Sequence, residues 1–291
     1  MKEKRFLSLI LFIAAFSLSA QVKGIVLDSI SDKPIVYAAV MYENSKIGVN
    51  TDENGNFILP QKDSLNIIHA SNLGYFDKKI SKDSNLIIKL APKIYNLNEV
   101  VVTDKRNNEE LIIGDIKKKG TGFSNGGTSH IWAKLFQFED KFYVFKHVKE
   151  IKFITNSRVK NSILKLRLFT IDSLNIIKDD LIKEDIIITC KKGKQIQTID
   201  ISEYNIIFPE EGLMIGFENL VIEENKFEYI YTIEGQKGKH KGISYEPKIK
   251  GFFNNEATVY SISNNKAFLM IYKAKNQEGF HDISLQITLT N

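Results

Sequence analysis

Short alternations of apolar and polar residues, broken by Gly, Asn, Asp and Pro, run along most of the chain, and this period of two predicts strands. In Val22-Lys23-Gly24-Ile25-Val26-Leu27-Asp28 the even-numbered positions share one face, and Lys23, Ile25 and Leu27 share the other. Further strands are predicted over 35–42, entered by Pro34, and over 57–59, after a tight Asn54-Gly55 hairpin. Others fall over 65–70, over 76–80 after the turn Asn72-Leu73-Gly74-Tyr75, and over 86–90 before Pro92. Seven strands, these six runs among them, are expected in this first region and suit a two-sheet sandwich. Residues 103–110 are polar, charged and without apolar period, and mark a boundary between a region at 21–102 and one at 111–291. Beyond it, strands are predicted at 131–138, 142–155, 163–171, 186–190, 196–201, 213–222, 227–233, 258–262, 267–272 and 283–289, with one helical turn at 178–184. The fold class is therefore all-β: a seven-stranded sandwich followed by a larger antiparallel β-sandwich or jelly-roll-like domain.

The first region has a specific combination of motifs. It opens Val22-Lys23-Gly24-Ile25-Val26, crosses Thr51-Asp52-Glu53-Asn54-Gly55-Asn56-Phe57, continues through Gly74-Tyr75 and closes on Leu97-Asn98-Glu99-Val100-Val101-Val102. It resembles the carboxypeptidase regulatory-like domain, a small transthyretin-like sandwich of many exported proteins. The resemblance implies a spacer or adaptor without a catalytic group. A similar domain with a similar closing stretch precedes the plug and barrel of TonB-dependent receptors. Only 189 residues follow Val102, too few for a receptor barrel, so a part in the same envelope system is the remaining expectation. In the second region, the block from Leu164-Lys165-Leu166-Arg167-Leu168-Phe169 through Phe208-Pro209-Glu210-Glu211-Gly212 to Glu218 is similar to a C-terminal β-sandwich module that often follows such domains. No chemistry comes with that likeness.

Residues 1–20 read as a signal peptide: Lys2, Lys4 and Arg5 precede an apolar run from Phe6 to Phe16, and Ser17-Leu18-Ser19-Ala20 offers a cleavage site before Gln21. The expected location is exported: periplasmic, outer-membrane associated or extracellular. No later run is apolar enough for a membrane-spanning helix, so none is expected after cleavage. The chain carries 40 Lys and Arg against 35 Asp and Glu. The charges are interspersed, so nucleic acid is not an implied partner. Cys190 is the only cysteine, which rules out an internal disulfide, and its place after Ile186-Ile187-Ile188-Thr189 predicts a buried strand position.

Candidate chemistry is sparse. His147-Val148-Lys149-Glu150 with His281 invites a zinc reading. A period of two would put His147 and Glu150 on opposite strand faces, so no metal is expected there. Asp52, Asn54 and Asn56 are better explained by a turn than by a calcium loop, since Phe57 and Asp63 occupy the positions that need Gly and Glu. No nucleophile elbow, Walker loop or Rossmann glycine pattern is present, and no cofactor is expected. The glycines of 120–127 read as a loop. Trp132, Phe136 and Phe138 share a face, which is core or, if exposed, an aromatic platform. Glu218, opposite Phe217, reads as a surface carboxylate. Lys237-Gly238-Lys239-His240-Lys241-Gly242 reads as a basic hairpin tip. The ligand-binding candidates are thus Trp132, Phe136, Lys239 and His240. Together these features suggest a non-catalytic envelope protein that binds a glycan, a peptide or an envelope partner such as a TonB-dependent system. The alternative is a hydrolase, peptidase or glycosidase, whose site cannot be read from the sequence.

Overall fold

The computed structural model describes residues 21–83, 85–93, 109–174, 176–263, 266–271 and 279–291. The leader expected at 1–20, the stretch Leu97-Asn98-Glu99-Val100-Val101-Val102 and residues 103–108 of the expected boundary lie outside the described residues. The described residues hold 22 strands and three short 3-10 turns, and no α-helix. No helix among them is long and apolar enough to cross a membrane.

The first domain has its seven strands in two sheets. Gln21–Asp28 lies between Asn56–Pro60 and Asn85–Leu90, and the second sheet runs Gly48–Asn50, Ala39–Tyr42, Ile67–Ser71, Lys78–Ser81. Val22 and Val26 alternate inward along the first strand, as the period of two requires, and meet Leu59, Ile88, Val40 and Ile68 in one core. Two local expectations change. The strand expected from Ile35 starts only at Ala39, because Tyr37 takes a left-handed conformation with φ of 55°. Thr51 replaces the missing ladder: its Oγ1 donates to the Ile35 carbonyl at 2.7 Å and accepts from Ala38 N–H at 2.8 Å. The Asn54-Gly55 turn is not a hairpin between paired strands, since Gly48–Asn50 and Asn56–Pro60 belong to different sheets. It carries the chain across the sandwich. Asp52 holds it by accepting the N–H groups of Asn54 and Asn56 at 2.9 and 2.8 Å, so the carboxylate serves the turn.

The second domain is a sandwich of a seven-stranded and an eight-stranded sheet, with every pairing antiparallel. In the seven-stranded sheet Ser162–Ile171, Leu213–Asn219, His130–Phe136 and Val259–Ser263 are neighbours. The centre of the other runs Lys226–Tyr231, His240–Asn254, His147–Ser157, Leu285–Thr290, Glu110–Asp115. Leu164, Leu166, Leu168 and Phe217 face Ile151, Phe153, Ile249 and Leu289 across the core, with the Phe153 and Phe217 rings 4.6 Å apart.

Four strands come in addition to those expected: Glu110–Asp115, Gly122–Asn125, Ile177–Asp180 and His240–Asn254. Glu109 and Glu110 therefore belong to the second domain, Glu110 pairing with Thr290, and the boundary ends earlier than 110. The expected 120–127 loop contains a strand, and the helical turn expected at 178–184 opens as one. The strand expected from Phe142 begins at His147, since Asp140–Tyr143 forms a 3-10 turn that buries Phe142. The 283–289 strand divides at Ser284, whose buried hydroxyl donates to the Lys117 carbonyl while the chain changes partners.

Candidate ligand cleft between the two domains

The two domains meet through a polar lock and a small apolar cluster. Asn50, at the end of a first-domain strand, imitates a strand partner for Val221. Its backbone N–H donates to the Val221 carbonyl at 3.1 Å, and its Oδ1 accepts the Val221 N–H at 2.9 Å. Its Nδ2 donates to the Tyr37 carbonyl and to Glu218 Oε1, both at 3.3 Å. From the other side Lys165 Nζ donates to the Tyr37 carbonyl at 3.2 Å and Asn72 Oδ1 at 3.0 Å, and pairs with Asp185 at 2.9 Å. The unusual backbone of Tyr37 thus aims its carbonyl at two donors. Tyr37, Leu220 and Ile222 are buried together beside it, with Val36 and Ile163 packed against them.

Beside this junction a cleft of about 500 Å³ opens between the domains. Its floor is the outer face of the seven-stranded sheet, where Ile131, Ile177 and Ile262 supply apolar surface. The inward leucines 164, 166 and 168 send the intervening Lys165 and Arg167 to this outer face. Opposite stand Met41, His69, Asn72 and Phe76 of the first domain. Both signs of charge line it: Lys165, Arg167, Lys178 and Lys93 against Glu218, Asp180 and Asp77. Arg167 holds Asp180 with Nε at 3.1 Å and Nη2 at 2.8 Å. Burial works against the Arg167 charge, but the carboxylates of Asp180 and Glu218 outweigh it, and its pKa lies above the usual arginine value. Burial pushes the neighbouring His130 below the ordinary histidine value, opposed in part by the Thr128 carbonyl that meets its Nδ1 at 3.0 Å. Glu218 is only 8% exposed, so the expected surface carboxylate is instead an interdomain group.

Trp132 and Phe136 offer no platform. Phe136 is a member of the main core, and Trp132 packs against it with its ring 5.2 Å from Phe123. Lys134, between them, is buried as well, and its Nζ lies 2.8 Å from the fully buried Asp282. Lys239 is exposed in the turn before His240–Asn254, and His240 opens that strand.

The expected separation of His147 and Glu150 fails. The ladder shifts register between Val148 and Glu150, so His147 pairs with Thr290 and Glu150 with Thr288, which share a face. Val148 and Ile151 both point into the core, and His147 and Glu150 emerge on the same side. His281 sits on another strand, opposite Phe253. Among the described residues no group of three or more His, Cys, Asp or Glu side chains is arranged to hold a metal ion. Cys190 is fully buried, and burial pushes its thiol up to about 11.

No curated protein matches the chain. Residues 22–102 match the family model of the CarboxypepD_reg-like domain, and the first domain of this all-β chain is a carboxypeptidase regulatory-like domain.

Proposed function

We propose that this is an exported, non-catalytic protein of the cell envelope, at the periplasm, the outer membrane or the cell exterior, that acts as an adaptor. Its regulatory-like domain works as one wall of the interdomain cleft, which takes a short peptide segment of an envelope partner. The observation that carries this reading is the composition of that cleft. An isoleucine floor suits apolar side chains, and the bordering groups of both signs suit the donors and acceptors of an extended backbone. The strong pairings of Arg167 with Asp180 and of Lys165 with Asp185 support recognition by fixed polar walls, since charges held in place lose little freedom on binding.

Selection of peptides from a random display library on the immobilised protein tests it. Enriched sequences should bind the native chain and lose affinity for Ser263→Trp, which fills the cleft from its rim. Equal binding to that variant would move the site elsewhere. Cleavage of peptide or glycan substrates that is lost in Glu218→Gln would replace the adaptor by the hydrolase reading.

A further inference from the structure

The hairpin of Lys226–Tyr231 and His240–Asn254 carries a row of rings on one face. Its register sets Phe227 opposite Ser244, Tyr229 opposite Gly242 and Tyr231 opposite His240, so these six positions share a side. Ring centroids follow one another at 6.4 Å from Phe227 to Tyr229, 5.8 Å on to Tyr231 and 5.5 Å on to His240. A Cβ on Gly242 would fall 2.6 Å from Tyr229 Cζ, so the Tyr229 ring lies across the glycine, flat on the sheet. Phe227 lies within 16° of the same plane. Arg158 covers the inner end, its guanidinium 4.0 Å from the Phe227 centroid and 5.2 Å from that of Tyr229. Glu246 holds Arg158 through Nε at 2.8 Å and is itself fully buried. Tyr229 and Tyr231 remain 37% and 41% exposed.

The charges at the outer end of this face are mainly basic. The turn there carries Lys237 and Lys239 against one carboxylate, Glu234, and Glu228 falls on the opposite face by the period of two. The only carboxylate among these strand positions on the ring side, Glu246, is buried against Arg158. The outward apolar residues Ile230 and Ile243 also lie on the opposite face. We propose that the ring face binds an acidic polysaccharide. Flat, half-exposed rings stack on the apolar faces of sugar rings, and Lys237, Lys239 and His240 at the outer end meet the carboxylate or sulfate groups along the chain, while Arg158, held by Glu246, props the inner rings. The surface belongs to the eight-stranded sheet, not to the sheet that floors the cleft, so it stands whether or not the cleft takes a peptide.

The test is affinity electrophoresis of the full chain through gels containing polygalacturonate, with neutral dextran gels and sedimentation with phosphatidylglycerol vesicles alongside. Retardation by polygalacturonate but not dextran is expected, weakening as salt rises. Tyr229→Ala and Tyr231→Ala should each weaken it about tenfold. Gly242→Val should do the same by displacing the Tyr229 ring without removing it, while Ile230→Ser should leave it unchanged. Unaltered circular dichroism of the variants separates loss of binding from loss of fold. No retardation, or retardation indifferent to the three ring-directed variants, overturns the proposal. Vesicle binding that is lost in Ile230→Ser overturns it in favour of a lipid surface. Peptide binding in the cleft should survive Tyr229→Ala, so failure of either site is read separately.

Discussion

Replacing Asn50 by alanine should uncouple the two domains. The backbone bond from Asn50 to Val221 would remain, but the Val221 N–H would lose the Oδ1 acceptor it meets at 2.9 Å. Val221 is 4% exposed, so water cannot readily replace that acceptor. An unsatisfied buried donor costs about 1–3 kcal/mol. The Tyr37 carbonyl keeps Lys165 as a donor, and the bond lost by Glu218 is long at 3.3 Å, so these add less. The sum is about 2–4 kcal/mol, nearly all of it at the junction. Two probes make the location visible. Trp132 is the only tryptophan and lies in the second domain, so its fluorescence reads that domain alone, whereas far-ultraviolet circular dichroism reads both. In urea the native chain should give coincident transitions by both probes, as one cooperative unit does. With Asn50→Ala the dichroism should begin to fall at lower urea than the fluorescence, the small first domain unfolding ahead of the second. Asn54→Ala, in an exposed turn of the same domain, should shift neither by more than about 0.5 kcal/mol. Two separate transitions in the native chain, or a shift below that size for Asn50→Ala, would refute the coupling.

Lys134→Met should cost about 3–5 kcal/mol in urea denaturation, because it strands the fully buried Asp282 with only neutral donors from Asn254, Thr258 and the Ile283 backbone; a cost under about 1 kcal/mol would contradict that burial. His130 should make the chain less stable in mild acid. Its folded pKa is depressed by burial, so its contribution is complete above the ordinary value of 6.5 and is lost as pH falls from there through the lower folded value. His130→Gln should flatten the slope of stability against pH in that window, and an unchanged slope would exclude His130 as its source. Cys190 should resist iodoacetamide at pH 8 in the native state and react on unfolding, because its thiol titrates at about 11; prompt native labelling would show that the core opens there.

Period-two reading worked where apolar residues recur along one face of a strand. Ser162–Ile171 and Gln21–Asp28 were legible because Leu164, Leu166 and Leu168 in the one, and Val22 and Val26 in the other, recur on the face that enters the core. It failed where long-range partners decide. Nothing local to Ile35–Tyr37 announces that Thr51, fourteen residues beyond Tyr37, will satisfy the backbone groups a bent strand leaves open. The fifteen-residue strand from His240 was missed because lysines, Gly242, Pro247 and Gly251 break its alternation. Its ladder shifts between Tyr245 and Ile249, where Pro247 has no N–H to donate, and the strand continues by changing partners. Lys134 could not be placed without Asp282, 148 residues away, nor Glu218 without Asn50.

These failures share a cause that bears on function. A buried charge or a left-handed tyrosine is costly by itself and persists only when a distant partner compensates it. Asn50, Tyr37, Lys165 and Glu218 are such groups, and they lie together at the junction of the domains. An apolar seam would have united the domains by burying area, with little control over their relative setting. A junction of directional bonds fixes the angle between the sheets, and the Lys165–Glu218 cross-strand pair that fixes it also lines the cleft. Loss of the Asn50 side chain should therefore weaken the peptide binding proposed for the cleft as well as the junction, although Asn50 is not among the residues that line the cleft. Fluorescence anisotropy of a selected peptide, read below the urea concentration at which either domain unfolds, measures this. Undiminished affinity in Asn50→Ala would mean that the cleft keeps its shape without the lock, and that the first domain is only a neighbour of the site.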